Sequence, residues 1–366
     1  MSALYQKYRP IRFADVAGQE VVKTTLQNEL AAGTTVHAYL FAGPRAVGKT
    51  TTARLLARSL NCLARKTGEW EPCNECETCS AILQGKVLDV LEIDAASNNG
   101  VDNVRENIMA AARVASAQVK YKVFILDEVH MLSIGAFNAL LKLLEEPPAN
   151  VVFILATTEL HKVPATIISR CQRFDFKRIE PAAMLARLQE LTKKEGKAVT
   201  DGVLHEIVKR AGGCARDAES LLGQILSLGD MIDEEAASVI LPRSDYELVK
   251  RLARAMLTGE SESSFTVVRD VVDQGIDITT FTADLMSYVR EVLTIAIGVQ
   301  AGIGVTTAEK ADIQSWIVGI PPQRMVFALD YLISAQKEVK WVSLPQLPLE
   351  LAIVRTLLSV GAGEGK

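Results

Sequence analysis

The sequence predicts an α/β domain built on a parallel sheet, followed by two all-helical domains, and three observations carry the prediction. Apolar runs of strand length alternate with amphipathic helical stretches through the first half of the chain. A glycine-bearing loop, residues 43–50, stands between one such run and a helix. Beyond residue 178 the strand-like runs stop. Strand–helix alternation of this kind folds as a mostly parallel sheet covered on both faces.

The elements follow in order. Residues 36–42 (VHAYLFA) form a buried strand that runs into Gly43-Pro44-Arg45. A helix extends from Thr50 to about Leu60 with Leu55, Leu56 and Leu60 on its apolar face. The insert 61–86 is polar and bears four cysteines. Runs at 87–93, 121–126 and 151–156 repeat the signature of a strand buried on both faces. Between them, Val101, Val104, Ile108 and Ala111 or Ala112 share one helical face, as do Phe137, Leu140, Leu141 and Leu144. Pro147-Pro148 stops the second helix. A short strand at 172–176 closes the domain, which spans 1–178. Residues 179–242 read as a domain of short helices turning at Gly212-Gly213. Residues 243–366 form a second helical domain with a flexible tail. Its apolar stretches at 292–304 and 344–358 exceed what one helical face needs and are expected to pack against other subunits.

Composition narrows the class. The chain has 366 residues, 49% hydrophobic and 23% charged, which argues against a mainly disordered protein. With 40 Lys and Arg against 44 Asp and Glu, the net charge of −4 excludes a wholly basic nucleic-acid coat, though not a local basic face. No run reaches the roughly 20 apolar residues that span a bilayer, and the opening MSALYQKYRPIRF lacks a signal-peptide core. A cytoplasmic protein without membrane contact is expected.

Residues 43–50 fit G-x-x-x-x-G-K-[ST] completely. Gly43, Pro44, Arg45, Ala46, Val47 and Gly48 would curl so that backbone N–H groups face phosphate oxygens. Lys49 would reach the β- and γ-phosphates, and Thr50, followed by Thr51, would ligate Mg²⁺. Asp127 and Glu128 end the apolar strand YKVFIL, and strand C-termini in such sheets face the ligand crevice. Asp127 is expected to hold magnesium and Glu128 to orient or deprotonate the attacking water. The alternative, acidic caps of the next helix, fits poorly beside a P-loop. Thr157 closes VVFILA, where its hydroxyl would bond the γ-phosphate or lytic water, or else cap a helix. Arg170 is an exposed guanidinium near the sheet edge, suited to completing a neighbour's site or to plain solvation.

Cys73, Cys76 and Cys79 stand at C-x2-C-x2-C spacing, with Cys62 upstream. Four thiolates match tetrahedral zinc, which would staple a polar segment that has no core of its own. The ferredoxin alternative needs another cysteine where Leu83 stands. A structural Zn²⁺ is the expected occupant.

Taken together, YQKYRPIRFADVAGQE, HAYLFAGPRAVGKTTTARLLARSLNC, PCNECETC, IDAASNNGVDNVRE, FILDEVHMLSIGAFNALLKLLEEPP and ILATTELHKVPATIISRCQRFDF closely resemble the bacterial DNA polymerase III gamma/tau family. These are the AAA+ ATPases of the sliding-clamp loader. The likeness extends through AGGCARDAESLLGQ and LPLELAIVRTLL, essentially the entire chain, and the zinc insert sets it apart from related branch-migration and helicase-loading proteins. It implies an AAA+ nucleotide domain with a zinc insert, a helical lid and a helical collar. It further implies a nucleotide sensor at Thr157, a trans-acting arginine finger at Arg170, a second sensor at Arg216, and adenine wrapped by the YRPIRF…VAGQ segment. Zinc ligands at Cys62, Cys73, Cys76 and Cys79 follow as well.

The same resemblance implies a five-membered ring with delta, delta-prime and further copies of the chain. Such a ring loads the beta clamp onto primer–template DNA at the expense of ATP. Arg105 and Lys142 are candidate phosphate contacts, with solvated surface positions as the competing reading. Polymerase activity in this family belongs to the holoenzyme. A ring scaffold whose ATP site is mainly structural is the alternative, opposed by the intact Lys49, Asp127, Glu128 and Arg170. Two departures from the family pattern stand out. Ala46 replaces the usual glycine, which is tolerable only at negative φ, and Gly213-Cys214 replaces Gly-Gly-Ser or Gly-Gly-Asp.

Overall fold

Five of the apolar runs lie side by side as β1 (Ala38–Ala42), β2 (Val90–Asp94), β3 (Lys122–Asp127), β4 (Val151–Thr157) and β5 (Gln172–Asp175). All pairings are parallel, in the order β2-β3-β4-β1-β5. The computed structural model describes residues 3–98, 100–101, 108–114, 116, 119–241, 244–298, 307–342 and 344–359. The chain divides into two compact units, Met1–Glu234 and Glu235–Lys366.

In the first unit every residue of β1 and β4 is buried, because these strands have neighbours on both sides and helices above and below. Period-two alternation sends Tyr39, Phe41, Val123, Ile125 and Ile154 into one core with Leu55 and Leu56. Leu40, Phe124, Leu126, Phe153 and Leu155 enter the opposite core with Phe137 and Leu140. Phe124 and Phe153 stand in register and stack at 5.3 Å. β2 departs from the sequence expectation. It begins at Val90 rather than 87, is only partly buried, and leaves Leu88 84% exposed. As an edge strand it has one neighbour, β3, so it lacks the second covering side that its apolar run implies.

Around the sheet lie α1 (Glu20–Ala32), α2 (Lys49–Asn61), α3 (Glu77–Leu83) and α4 (Ile134–Glu145). Ser133 caps α4 by accepting from Ala136 N at 3.2 Å. The buried stripe of α4 carries Phe137, Leu140, Leu143 and Leu144. Leu141 is only half-buried, a correction to its expected place. At about 100° per residue, Leu141 lies on the shoulder of an arc centred on Leu140. Of the helical face expected from Val101, Ile108 and Ala112 are buried, while Val104 lies outside the described residues.

α5 (Pro181–Glu195), α6 (Asp201–Ala211) and α7 (Ala215–Leu226) complete the unit. Strands do not vanish here as the sequence implied. β6 (Ala198–Val199) pairs with β7 (Met231–Ile232). Two-residue strands are too short to show periodicity, so hydrophobic patterning could not reveal them.

The second unit is helical. Ser244–Thr258, Ser261–Asp273, Ile278–Ala296, Thr307–Trp316, Pro322–Glu338 and Leu347–Leu358 surround a core that includes Leu252, Met256, Phe281, Leu285, Leu332 and Ile353. Phe327 and Leu358 remain exposed in this single chain. The expected tail, 361–366, lies outside the described residues. Among the described residues no helix is long and apolar enough to cross a membrane.

Candidate nucleotide site and metal centre

Parallel register brings the C-terminal ends of the strands to one level. Ala42 lies opposite Thr157 and Asp94 opposite Asp127, so the chain leaves β1 for the P-loop at the same end of the sheet as both carboxylates, with β4 between β1 and β3. Gly43 passes so close to β5 that an added Cβ would strike Phe176 O. α2 then starts at Lys49 with Gly48 as its N-cap, which aims the unpaired N–H groups of the first turn at the loop.

A cavity of about 780 Å³ opens over this turn. Arg45 to Thr51 form its floor, Asp127 and Glu128 one wall, Arg9, Pro10, Asp15, Val16 and Ala17 another. Ile179, Arg187, Ala215, Arg216 and Glu219 lie on the side of α5 and α7. Thr50 Oγ1 donates to Asp127 Oδ2 at 2.7 Å. Lys49 Nζ donates to Gly43 O at 2.8 Å and Pro44 O at 2.7 Å. Burial draws the Lys49 ammonium below its usual range, with Glu128 and Asp127 opposing.

Glu128 has φ +48, an uncommon left-handed conformation for a residue with a side chain. Its N–H donates to Asp127 Oδ1 at 2.9 Å, and its Oε2 accepts from Thr158 Oγ1 at 2.8 Å and Thr158 N at 3.3 Å. The carboxylate is thus fixed by the strand next door. Thr157, by contrast, does not line the cavity. It is fully buried, with its hydroxyl between His130 Nδ1 at 3.1 Å and Glu159 N at 3.0 Å. Thr158 and His130 were not singled out from sequence. The Thr-Thr pair after an apolar strand was the signal, since in extended backbone only one of two successive side chains faces the cleft.

Ala46 contradicts the condition set for it. Its φ is +60, held there by Ala215 N donating to Ala46 O at 3.0 Å across to the start of α7. An alanine in this region costs roughly 1–2 kcal/mol relative to right-handed backbone. Ala46→Gly is therefore expected to stabilise the protein by about 0.5 kcal/mol after the entropy lost by glycine, raising Tm by roughly 1–2 °C in thermal melts. Gly213 has no such latitude. At φ +85, its added Cβ would lie 2.7 Å from Arg178 Cβ.

Arg216 stands in the first turn of α7, over the Tyr5 ring at 5.6 Å. Behind it, Arg187 Nε donates to Glu219 Oε1 at 3.1 Å, and burial raises the Glu219 carboxyl against the pull of Arg187. Arg170 is less free than expected. It is one-third exposed, and its guanidinium donates to Glu145 Oε1 at 2.6 Å and Thr166 O at 2.7 Å. It lies outside the cavity lining of its own chain. Lys142 is exposed on α4, and Arg105 lies outside the described residues.

Cys62, Cys73, Cys76 and Cys79 converge, with all four sulfurs within 4.8 Å of one another. Tetrahedral zinc with Zn–S near 2.3 Å needs sulfurs about 3.8 Å apart, and Cys73 and Cys79 sulfurs lie at 3.9 Å. Backbone N–H groups of Cys73, Cys76 and Cys79 point at the sulfurs of Cys62, Cys73 and Cys76, as thiolates require. Although burial opposes it, N–H donation from Cys79 and Leu63 draws the Cys76 thiol down to about 6. The donor set fits a four-coordinate metal and is able to chelate one.

Comparison with known proteins gives consistent matches. Residues 18–180 match the family described as DNA polymerase III, delta subunit, and residues 232–361 the family described as DNA polymerase III subunits gamma and tau domain III. The chain is 44% identical to DNA polymerase III subunit tau of Bacillus subtilis over 358 residues, covering 96% of this chain and 62% of that protein. It is 37% identical to the gamma/tau subunit of Mycobacterium bovis over 364 residues, covering 97% and 62%. It thus spans less than two thirds of these relatives. Among solved structures, a mutant RuvB of Thermotoga maritima aligns with TM-score 0.50 at 17% identity, over 84% of this chain and 91% of that one. That likeness is one of fold.

Proposed function

The chain belongs to the DNA polymerase III gamma/tau family, and from that membership we propose that it is an ATP-hydrolysing AAA+ subunit of a clamp loader. The observation that carries the reading is the 2.7 Å bond between Thr50 of the P-loop helix and Asp127 at the end of β3, with Glu128 next in the chain. These two oxygens would hold Mg²⁺, which when bound neutralises charge developing on the β- and γ-phosphates. Lys49 exchanges its two loop carbonyls for phosphate oxygens. Glu128, oriented by Thr158, accepts the proton of the attacking water. Thr157 acts one step back, through His130, while Arg216 reads the nucleotide from α7. Arg170 serves the site of the next subunit. The four-cysteine cluster holds a structural Zn²⁺.

In this reading the second helical unit is the collar. The partners are delta, delta-prime, further copies of the chain, the beta clamp and primer–template DNA, with Lys142 as a phosphate contact. Steady-state ATP hydrolysis tests it. Adding partner subunits, clamp and primed DNA is expected to stimulate turnover. Lys49→Ala is expected to abolish it, at a loss of at least about 100-fold. Rates indifferent to partners and to Lys49→Ala would leave a scaffold with a structural nucleotide site.

A further inference from the structure

The segment from Arg9 to Ala17 has two faces. On the inner face, Arg9, Pro10, Asp15, Val16 and Ala17 line the nucleotide cavity. Val16 reaches the P-loop turn, where a Cβ placed on Gly48 would touch its Cγ1 at 3.7 Å. On the outer face, the segment is gripped by the four-cysteine insert. Glu71 Oε2 accepts from Phe13 N at 2.9 Å and Glu71 Oε1 from Ala14 N at 3.1 Å. Phe13 and Ala14 open a short 3-10 turn, Phe13–Asp15, whose first N–H groups have no carbonyl within the turn to receive them. One carboxylate supplied from the insert satisfies both. Asn74 Nδ2 donates to Ile11 O at 3.1 Å, and Arg58 Nη2 donates to the same oxygen at 2.9 Å.

Glu71 and Asn74 lie beside the converging cysteines in the chain. Asn74 lies between Cys73 and Cys76 at φ +63, and Glu71 is two residues before Cys73. The insert buries little apolar surface of its own, so a metal on the four sulfurs is what would fix this loop. Arg58 carries a second sign of the link. Its Nε is buried without a hydrogen-bond partner, while its Nη2 holds Ile11 O. A four-thiolate metal cluster is anionic, and Arg58 stands where a balancing cation is needed.

We propose that Glu71 and Asn74 are positioning residues for nucleotide binding: they hold segment 11–16 against the P-loop, so that affinity for ATP depends on the metal in the four-cysteine loop. The inference rests on the nucleotide-site reading above. It makes the insert part of the binding apparatus while leaving the hydrolytic groups untouched. Losing the metal or the Glu71 clasp would loosen the cavity wall and weaken binding, with turnover of bound ATP preserved.

The full chain, zinc content measured, is titrated with a fluorescent N-methylanthraniloyl ATP analogue, and KM and kcat are measured alongside. Glu71→Ala is expected to keep its zinc, raise Kd and KM about tenfold and leave kcat within about twofold, from the loss of two charge-assisted bonds. Glu71→Gln, which retains one acceptor oxygen, should raise Kd by about threefold. Chelating zinc from the wild type should raise Kd by about tenfold, reversibly on adding zinc back. In the Glu71→Ala/Asn74→Gly double variant, chelation should add less than about twofold, because the link is already cut. Unchanged Kd in a folded, zinc-bearing Glu71→Ala protein overturns the inference. So does a zinc effect of equal size in the double variant. Failure of the wild type to bind the analogue would instead remove the nucleotide-site reading, and this inference with it.

Discussion

Glu128→Gln is expected to bind ATP within about threefold of the wild type while its turnover falls by about 10²–10³-fold, the lower part of the range for a lost general base. The amide matches the carboxylate in shape and still offers an oxygen to Thr158, whose hydroxyl lies 2.8 Å from Glu128 Oε2. Geometry is therefore kept and only basicity is removed. The left-handed backbone at Glu128, φ +48, is also retained, since glutamine tolerates it no worse than glutamate. The barrier should rise by about 3–4 kcal/mol, all of it in kcat. Single-turnover hydrolysis with a separate binding titration checks this. A loss below about fivefold would assign Glu128 a structural part and move the base elsewhere.

The layout of the candidate site was legible in the sequence wherever it depends on residues adjacent in the chain. The loop from Gly43 to Thr50 and the pair Asp127-Glu128 each sit at the end of a strand, and strand ends are visible as the end of an apolar run. The four cysteines were legible for the same reason, three of them within seven residues. What was hidden depends on which chain segments meet in space. That Thr158 rather than Thr157 reaches Glu128 depends on where the chain goes after β3, since Glu128 turns into left-handed backbone at φ +48. That Ala46 sits at φ +60 is decided by a hydrogen bond from Ala215, 169 residues later. Nothing in the polar insert marks Glu71, and only folding shows it capping the turn at Phe13. β6 and β7 were missed because two residues carry no period.

Arg170→Ala is expected to leave ATP binding intact and to lower the turnover of the assembled complex by about 10³-fold, the lower end of the range for a trans-acting arginine. The argument starts from position. Arg170 does not line the cavity of its own chain, yet its guanidinium is held rather than loose, by Glu145 at 2.6 Å and Thr166 O at 2.7 Å. An exposed ion pair of this kind contributes at most about 1 kcal/mol to stability, so the substitution should not unfold the protein, and a loss of activity is then one of chemistry. Mixing separates action in trans from action in cis. Lys49→Ala chains keep a sound Arg170, and Arg170→Ala chains keep a sound P-loop. In an equimolar mixture, about a quarter of the contacts between copies pair the intact Arg170 of one chain with the intact Lys49 of its neighbour in a closed ring. Those contacts should hydrolyse ATP although each variant alone is inactive. Inactivity of the mixture would place Arg170 in its own chain's site, and full activity of Arg170→Ala alone would reduce it to a surface residue paired with Glu145.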